Sequence, residues 1–344
     1  KKPNMSLKNL NVKIPKLLEN NLRNKRINKI YKSFENSLNI KKNFAIAVSG
    51  GADSLALSFL AKIYSIKNDL EAKFFIIDHK LRNESTSEAK SVKKVLNKLD
   101  IKAEILTWNG KKPKNNIQSI ARKKRYELLL SKCKKLKISY ILFGHHQNDL
   151  FENFFIRILR GSGLKGLVSF NKRSKVNDIN ILRPLLDLKK KDLEFVSRHV
   201  FNYYVNDPSN QNDKFLRIRV RKLLFELEKE GLDNKKLFRT INNLQDTDNA
   251  IRFYVDKNLQ ENSLFLKKKK QLILNNNFFI QPHEVVLRSL SDLLRRVGES
   301  YYPVRGKKIE KIINEIEKKE HFKVTLGGCI IKKVNQTVII SKEY

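Results

Sequence analysis

Phe44-Ala-Ile-Ala-Val-Ser-Gly-Gly-Ala-Asp-Ser54 is the stretch on which the fold turns. A short apolar run at Phe44–Val48 gives a buried strand, and the turn after it leads into helical periodicity over Asp53–Ile66. Gly50 and Gly51 let the backbone approach an oligophosphate with no Cβ in the way. The N–H groups of the loop and of the first helical turn, Ala52 included, then point at phosphate oxygens, aided by the helix dipole. Ser49 and Ser54 add hydroxyl donors, and Asp53 can hold the Mg²⁺ that accompanies ATP. A plain strand-to-helix turn capped by Ser or Asp would use similar residues. The whole Ser49–Ser54 arrangement on a strand–turn–helix favours the phosphate site. It lacks the Gly-Lys-Ser/Thr ending of a Walker A loop and is not a dinucleotide GxGxxG.

Working outward, Lys73–Asp78, Ala103–Trp108 and Ser139–Phe143 read as further strands. Glu84–Leu99, Ile117–Leu136 and Asp149–Leu159 read as helices between and after them. Short apolar strands alternating with helices predict an α/β fold, a parallel sheet with helices on both faces. Ligands of such sheets bind beyond the carboxyl ends of the strands. Upstream, residues 1–43 form a basic lead-in, with helical spacing in Ile27, Tyr31, Phe34 and Leu38. Downstream, Leu188–Phe201 and Asp213–Glu230 read as helices flanking the turn Asn206-Asp-Pro-Ser-Asn210. Gly231 suits a helix stop, 235–262 is again helical, and Lys323–Ser341 reads as a hairpin or small sheet. The expected domains are therefore 1–43, a catalytic domain over 44–222, and a smaller α+β unit over 223–344. Lys267–Lys270, with apolar flanks, reads as a solvated strand or turn.

The chain of 344 residues carries 72 Lys and Arg against 35 Asp and Glu, a formal charge of +37. An excess of that size predicts a polyanionic partner, nucleic acid before an anionic membrane surface. Heavy use of Lys, Asn and Ile throughout is also what an AT-rich genome produces. The two cysteines, Cys133 and Cys329, have no metal or redox spacing, so a disulfide framework, a zinc knuckle and a cysteine-held cluster are unsupported. No apolar run reaches the roughly 18–20 residues of a membrane span, and a cytoplasmic location is the default expectation.

Other residues with chemical potential cluster near predicted strand ends. Asp78 and His79 close the second strand, where a carboxylate can accept from an amino or ribose group. Arg122 and Arg125 lie on a helix apolar at Ile120, Leu128 and Leu129. Arg122 can reach phosphate or substrate, or simply belong to a solvated basic face. His145, Asp149 and Glu152 follow Gly144, and their spacing can place them on one helix face. A carboxylate pair suits an ammonium group and a guanidinium suits a carboxylate; an acid-rich helix N-terminus would look similar. Arg160-Gly-Ser-Gly163 is a flexible, N–H-rich loop, or a helix C-cap with Gly161 left-handed.

Taken together, these segments resemble those of a known family. The Ser49–Ser54 hexapeptide is similar to the SGGxDS loop of PP-loop enzymes, which cleave ATP to AMP and pyrophosphate. Asp78-His-Lys-Leu-Arg-Asn-Glu-Ser85, Gly144-His-His-Gln-Asn-Asp-Leu-Phe-Glu152, Arg160-Gly-Ser-Gly163 with Gly166-Leu167, and Asp207-Pro-Ser-Asn210 with Arg217 and Arg221 narrow the resemblance to tRNA(Ile)-lysidine synthases. The matches stand in that family's order over roughly residues 44–222. The C-terminal unit resembles the family's tRNA-binding domain more weakly. The resemblance implies ligation of free L-lysine to the wobble cytidine of tRNA(Ile) with a CAU anticodon, through an adenylated base. It implies ATP and Mg²⁺, with Ser49–Ser54, Asp78, His79 and Gly144 around the nucleotide and Asp53 and Asp149 as candidate metal ligands. It also implies Asp53, His145 and Asp149 in catalysis, and Arg122, Asp149, Glu152 and Arg217 at the lysine and substrate side. Either a monomer or a homodimer is compatible. Asn148 stands where an aspartate is usual, Asn153 where threonine is usual, and Ile218 replaces a common asparagine. The rival readings are a PP-loop tRNA thiolase, which generally calls for cysteines, and a non-catalytic RNA-binding protein on the same scaffold.

Overall fold

A computed structural model describes residues 14–81, 84–110, 113, 117–176, 178–205, 216–266, 271–299 and 304–343. The contacts divide the chain into two compact units, 1–237 and 238–344. The expected turn at 206–210, Arg82, Asn83 and the Lys267–Lys270 run lie outside the described residues.

In the first unit, β1 (Phe44–Val48) is flanked by two parallel neighbours. They are β2 (Ala72–Asp78) on one side and β4 (Tyr140–Phe143) on the other, with Ile46 level with both Phe74 and Leu142. A strand covered on both faces needs an unbroken apolar run rather than alternation, and Phe44–Val48 provides one. β3 (Ala103–Thr107) extends the sheet beyond β2. On the far side β6 (Ile179–Leu182) pairs parallel with β4, and β5 (Arg173–Val176) pairs antiparallel with β6. The order β3-β2-β1-β4-β6-β5 makes the sheet mostly parallel, with one antiparallel edge that the sequence analysis did not anticipate.

α1 (Lys16–Leu22) and α2 (Lys25–Ser37) precede the sheet, and the Asn24 side chain caps α2 by accepting from the Arg26 and Ile27 N–H groups. Ile27, Tyr31 and Phe34 are buried in the same core as Phe44 and Leu55. α3 (Ala52–Lys67) is buried along nearly its whole length, packed on β1, α2 and α8 (Lys190–Phe201). Leu55, Leu57, Phe59 and Leu60 are fully buried there, each contributing about 1.5–3 kcal/mol by transfer from water. The remaining helices are α4 (Ser85–Asn97), α5 (Ile117–Lys135), α6 (Gln147–Ile158), α7 (Leu164–Leu167) and α9 (Leu216–Lys229). A glycine at positive φ, Gly231, follows α9 as expected.

α10 (Asn234–Glu261) leads into the second unit. There β7 (Ser263–Leu266), β8 (Gln271–Leu274), β9 (His321–Leu326), β10 (Cys329–Val334) and β11 (Thr337–Lys342) form an antiparallel sheet ordered β7-β8-β11-β10-β9. α11 (His283–Val297) and α12 (Gly306–Lys318) bury one face each in its core, the second through Ile309, Ile312, Ile313 and Ile316. Arg288 of α11 pairs with Asp248 of α10 and with Glu284. Among the described residues no helix is long and apolar enough to cross a membrane.

Candidate active site

The sheet order reverses direction between β1 and β4, and their carboxyl ends lie side by side. That is the switch point where open α/β sheets bind ligands. After β1 the chain turns through Gly50, at φ +86°, into α3. A Cβ on Gly50 would sit 2.5 Å from Val92 Cγ2, so both its conformation and its surroundings require glycine. The Ser54 hydroxyl accepts from the Ser49 and Gly50 N–H groups, each at 3.1 Å, and donates to the Gly51 carbonyl at 3.0 Å. Ser54 therefore shapes the loop from within. The N–H groups of Ala52 and Asp53, in the first turn of α3, have no acceptor inside the helix. The Ala52 carbonyl is held from behind by the Ser197 hydroxyl of α8.

Gly144 ends β4 against this loop. A Cβ there would meet the Asp53 carbonyl oxygen at 3.1 Å and Ser54 Cα at 3.2 Å. The close approach brings His146 Nε2 to 3.6 Å from Asp53 Oδ2 and 3.5 Å from Asp149 Oδ2. Asp149 Oδ2 also accepts the His146 N–H at 3.0 Å, closing the first turn of α6. Burial raises the Asp53 pKa, with the Asp149 and Glu194 charges adding to it against His146 and Lys190. Its Oδ1 is buried with no partner. Burial would raise Asp149 too, but His146, the Arg217 guanidinium and His145 outweigh it and hold this carboxyl below its ordinary value.

Asp149 and Glu152 do share a face of α6, and α9 answers them with two arginines. Arg217 bridges Asp149 Oδ1 and Glu152 Oε2, and Arg221 Nε donates to Glu152 Oε1 at 2.7 Å. Glu152 is fully buried and both its oxygens are taken by guanidinium groups.

His145 does not join that face. Its ring lies between Phe143 (centroids 5.8 Å apart, nearly parallel) and the edge of Phe170 (5.1 Å). Burial lowers its pKa to about 3, with Arg183, Arg122 and Arg217 adding to the shift against Asp149. The imidazole is neutral. Phe143 stacks in turn on Tyr126 of α5, with Arg122 over the Tyr126 ring at 5.4 Å. Arg183, buried after β6, covers Phe170 at 4.8 Å. At the end of β2, Asp78 accepts from the Lys80 N–H and from the Ser85 and Thr86 hydroxyls. Burial would raise the pKa of this acid, but those three donors lower it overall, and the carboxylate fixes the start of α4. The neighbouring His79 has both ring nitrogens buried without partners and a pKa lowered to about 4 by burial and Arg125. The Arg160–Gly163 loop is the C-cap of α6. Gly161 is left-handed at φ +63°, and Ser162 N–H donates to the Arg157 carbonyl at 3.0 Å.

Residues 20–228, more than half of the chain, match the family described as the PP-loop domain. A tRNA(Ile)-lysidine synthase of Orientia tsutsugamushi is 37% identical over 314 residues, covering 87% of this chain and 69% of its own length. The chain belongs to the tRNA(Ile)-lysidine synthase family. Two other members agree: the synthase of Rickettsia felis at 31% identity (92% of this chain, 74% of that protein) and that of Rhodopseudomonas palustris at 31% (86% and 89%). Among solved structures, a U34-tRNA thiolase from Methanococcus maripaludis aligns with a TM-score of 0.56 at 16% identity, over 64% of this chain and 78% of that one. At that identity the likeness is one of fold.

In this lysidine synthase family member Asp149 and Glu152 stand beside two of the departures noted in the sequence, Asn148 and Asn153. Asn148 is exposed in the first turn of α6, while Asn153 leaves a buried Nδ2 without a partner. Ile218 is buried beside Arg217. His146 is the site residue that sequence reasoning passed over. The signal available was the His-His pair directly after Gly144. Asp207–Asn210 lies outside the described residues.

Proposed function

We propose that this protein ligates lysine to C2 of the wobble cytidine of tRNA(Ile), using ATP and releasing AMP and pyrophosphate. The observation that carries the chemistry is the juxtaposition of Ser49–Ser54 with Asp53, His146 and Asp149 at the β1/β4 switch point. In the first step the cytosine O2 attacks the α-phosphorus of ATP and pyrophosphate leaves. The free N–H groups at the start of α3 meet the charge that develops on the leaving group. In the second step the lysine ε-amine attacks C2 and AMP leaves.

Mg²⁺ fits a narrow place in this scheme. Among the described residues no group of three His, Cys, Asp or Glu could hold a metal by itself. Mg²⁺ usually takes one or two carboxylates and completes its shell with phosphate and water oxygens. The unpartnered Oδ1 of Asp53 is available for that role, with Asp149 as the second candidate. When bound there, the ion would neutralise phosphate charge. The ε-amine has an ordinary pKa of about 10.4, so a proton must leave before attack. His145, with its pKa lowered to about 3, and Asp149, held below its ordinary value, are both weak bases for that proton.

Lysine's ammonium and carboxylate are matched by Asp149, Glu152 and Arg217. The C-terminal unit and the surplus of Lys and Arg hold the tRNA, in a cytoplasmic setting. The thiolase reading is less well served, since the chain's two cysteines are buried, and burial pushes both thiols up to about 11. The decisive experiment supplies isoleucine tRNA, ATP and labelled lysine. The label is expected in RNA, and Asp53→Ala is expected to abolish pyrophosphate release. Sulfur entering the RNA while lysine does not would favour the thiolase.

A further inference from the structure

The acids assigned to lysine are already neutralised from within. Asp149 Oδ1 and Glu152 Oε2 are both bound by Arg217. Glu152 Oε1 is bound by Arg221, and Asp149 Oδ2 by the His146 N–H. Every oxygen of the two carboxylates already accepts from a donor of this chain, so an incoming ammonium group meets acceptors that are each partly engaged. Two carboxylates face two guanidinium groups, so a further cation has no unmatched charge to meet. Among the described residues Arg221 pairs with Glu152, whereas Arg217 spans both acids and is the group whose departure would open them.

We infer that Arg217 is a stand-in for the substrate: its guanidinium occupies the ammonium site until an amino acid exchanges with it. Resting on the lysine reading above, this makes Arg217 a determinant of specificity as well as a binding group. An amino acid brings a carboxylate along with its α-ammonium. As the ammonium takes over Asp149 and Glu152, the carboxylate takes the displaced guanidinium in a bidentate pair, and the number of ion pairs is conserved. A plain diamine offers the ammonium but nothing for Arg217, which would be left without a partner in a partly buried position. The site therefore excludes the polyamines and diamines that resemble lysine's chain, by leaving a charge unmatched rather than by shape. Arg217 is exposed enough on its outer side for such a swing, while Glu152 stays buried and held by Arg221.

The test compares labelled lysine with labelled 1,5-diaminopentane by equilibrium dialysis against the full chain, with a non-hydrolysable ATP analogue present. The parent protein is expected to bind lysine at least tenfold more tightly than the diamine. Arg217→Ala is expected to reverse that order, weakening lysine at least tenfold while tightening diaminopentane at least tenfold. Arg217→Gln, which keeps length and hydrogen bonding but not charge, carries the same expectation should the alanine variant not fold. If lysine weakens but the diamine is unchanged or weaker, Arg217 only holds the carboxylate and the exchange is overturned. If the parent binds no lysine, the amino-acid reading itself falls, and the exchange with it.

Discussion

Glu152→Gln removes one negative charge from the place where α6 and α9 are tied together. In the parent, one carboxylate oxygen accepts from Arg217 and the other from Arg221 at 2.7 Å. Glutamine offers a single acceptor, so its amide NH₂ must point at one of the two guanidinium groups, donor against donor. Hydrogen bonds to charged groups contribute about 1.5–3 kcal/mol each, so two of them set an upper range of roughly 3–6 kcal/mol. The arginine side chains are 41% and 42% exposed and can turn toward water, which offsets about half of that and leaves roughly 1.5–3 kcal/mol. For a unit of this size each kcal/mol moves the midpoint by about 2–4 °C, so the variant is expected to melt roughly 3–12 °C lower. Thermal unfolding followed by circular dichroism on the full chain reads this directly. A drop of less than about 2 °C would show that the acid is not the tie between these helices.

Three further expectations follow from the same geometry. Gly144→Ala pushes a methyl group against the Asp53 carbonyl and Ser54 Cα, at a cost of about 1–3 kcal/mol. ATP affinity should fall at least tenfold as the phosphate loop shifts, and calorimetric titration showing unchanged binding would refute the close approach. Asp53 has a raised pKa in the folded chain, so its contribution favours folding below its ordinary value near 3.8 and is lost as the pH rises through the folded value. Asp53→Asn, which imitates the protonated acid, should therefore raise the melting midpoint at neutral pH, with the gain shrinking toward pH 4; a lower midpoint at pH 7 would contradict it. Cys133 and Cys329, buried and with thiols pushed up to about 11, should resist iodoacetamide at pH 8 until urea unfolds the chain. Mass spectrometry showing modification of the native protein would count against their burial.

Much of the first unit was legible because each of its central strands is an apolar run with no competing pattern. Phe44–Val48 matches β1 end to end, and the strands expected at 73–78, 103–108 and 139–143 shift by a residue at most at each end. The β5–β6 hairpin was missed for a physical reason. Arg173–Val176 is an edge strand with polar side chains facing water, and the turn between the strands rests on a left-handed Asp178. In the second unit, α12 carries regular apolar spacing at Ile309, Ile312, Ile313 and Ile316, a pattern available to periodicity but overlooked. The site shows where spacing arguments fail. Helical spacing linked His145 to Asp149 and Glu152, but α6 begins only at Gln147 and His146 is extended, at φ −123° and ψ −177°. The two acids obey the helix rule, while His145 belongs to the strand end and turns toward Phe143. His146, one residue on, is the imidazole that reaches both Asp53 and Asp149.

The Ser54 hydroxyl, tied to two N–H groups and one carbonyl of its own loop, bears on turnover as well as on shape. Fixing a backbone residue costs about 1–2 kcal/mol, and a loop that is already set spares the incoming nucleotide that expense. The same readiness applies to whatever else carries linked phosphates. Inorganic pyrophosphate, the product that carries such phosphates, is therefore expected to bind the preset loop again. Product inhibition by pyrophosphate, relieved when a pyrophosphatase is added, is the kinetic signature expected of a loop held in shape by a single serine.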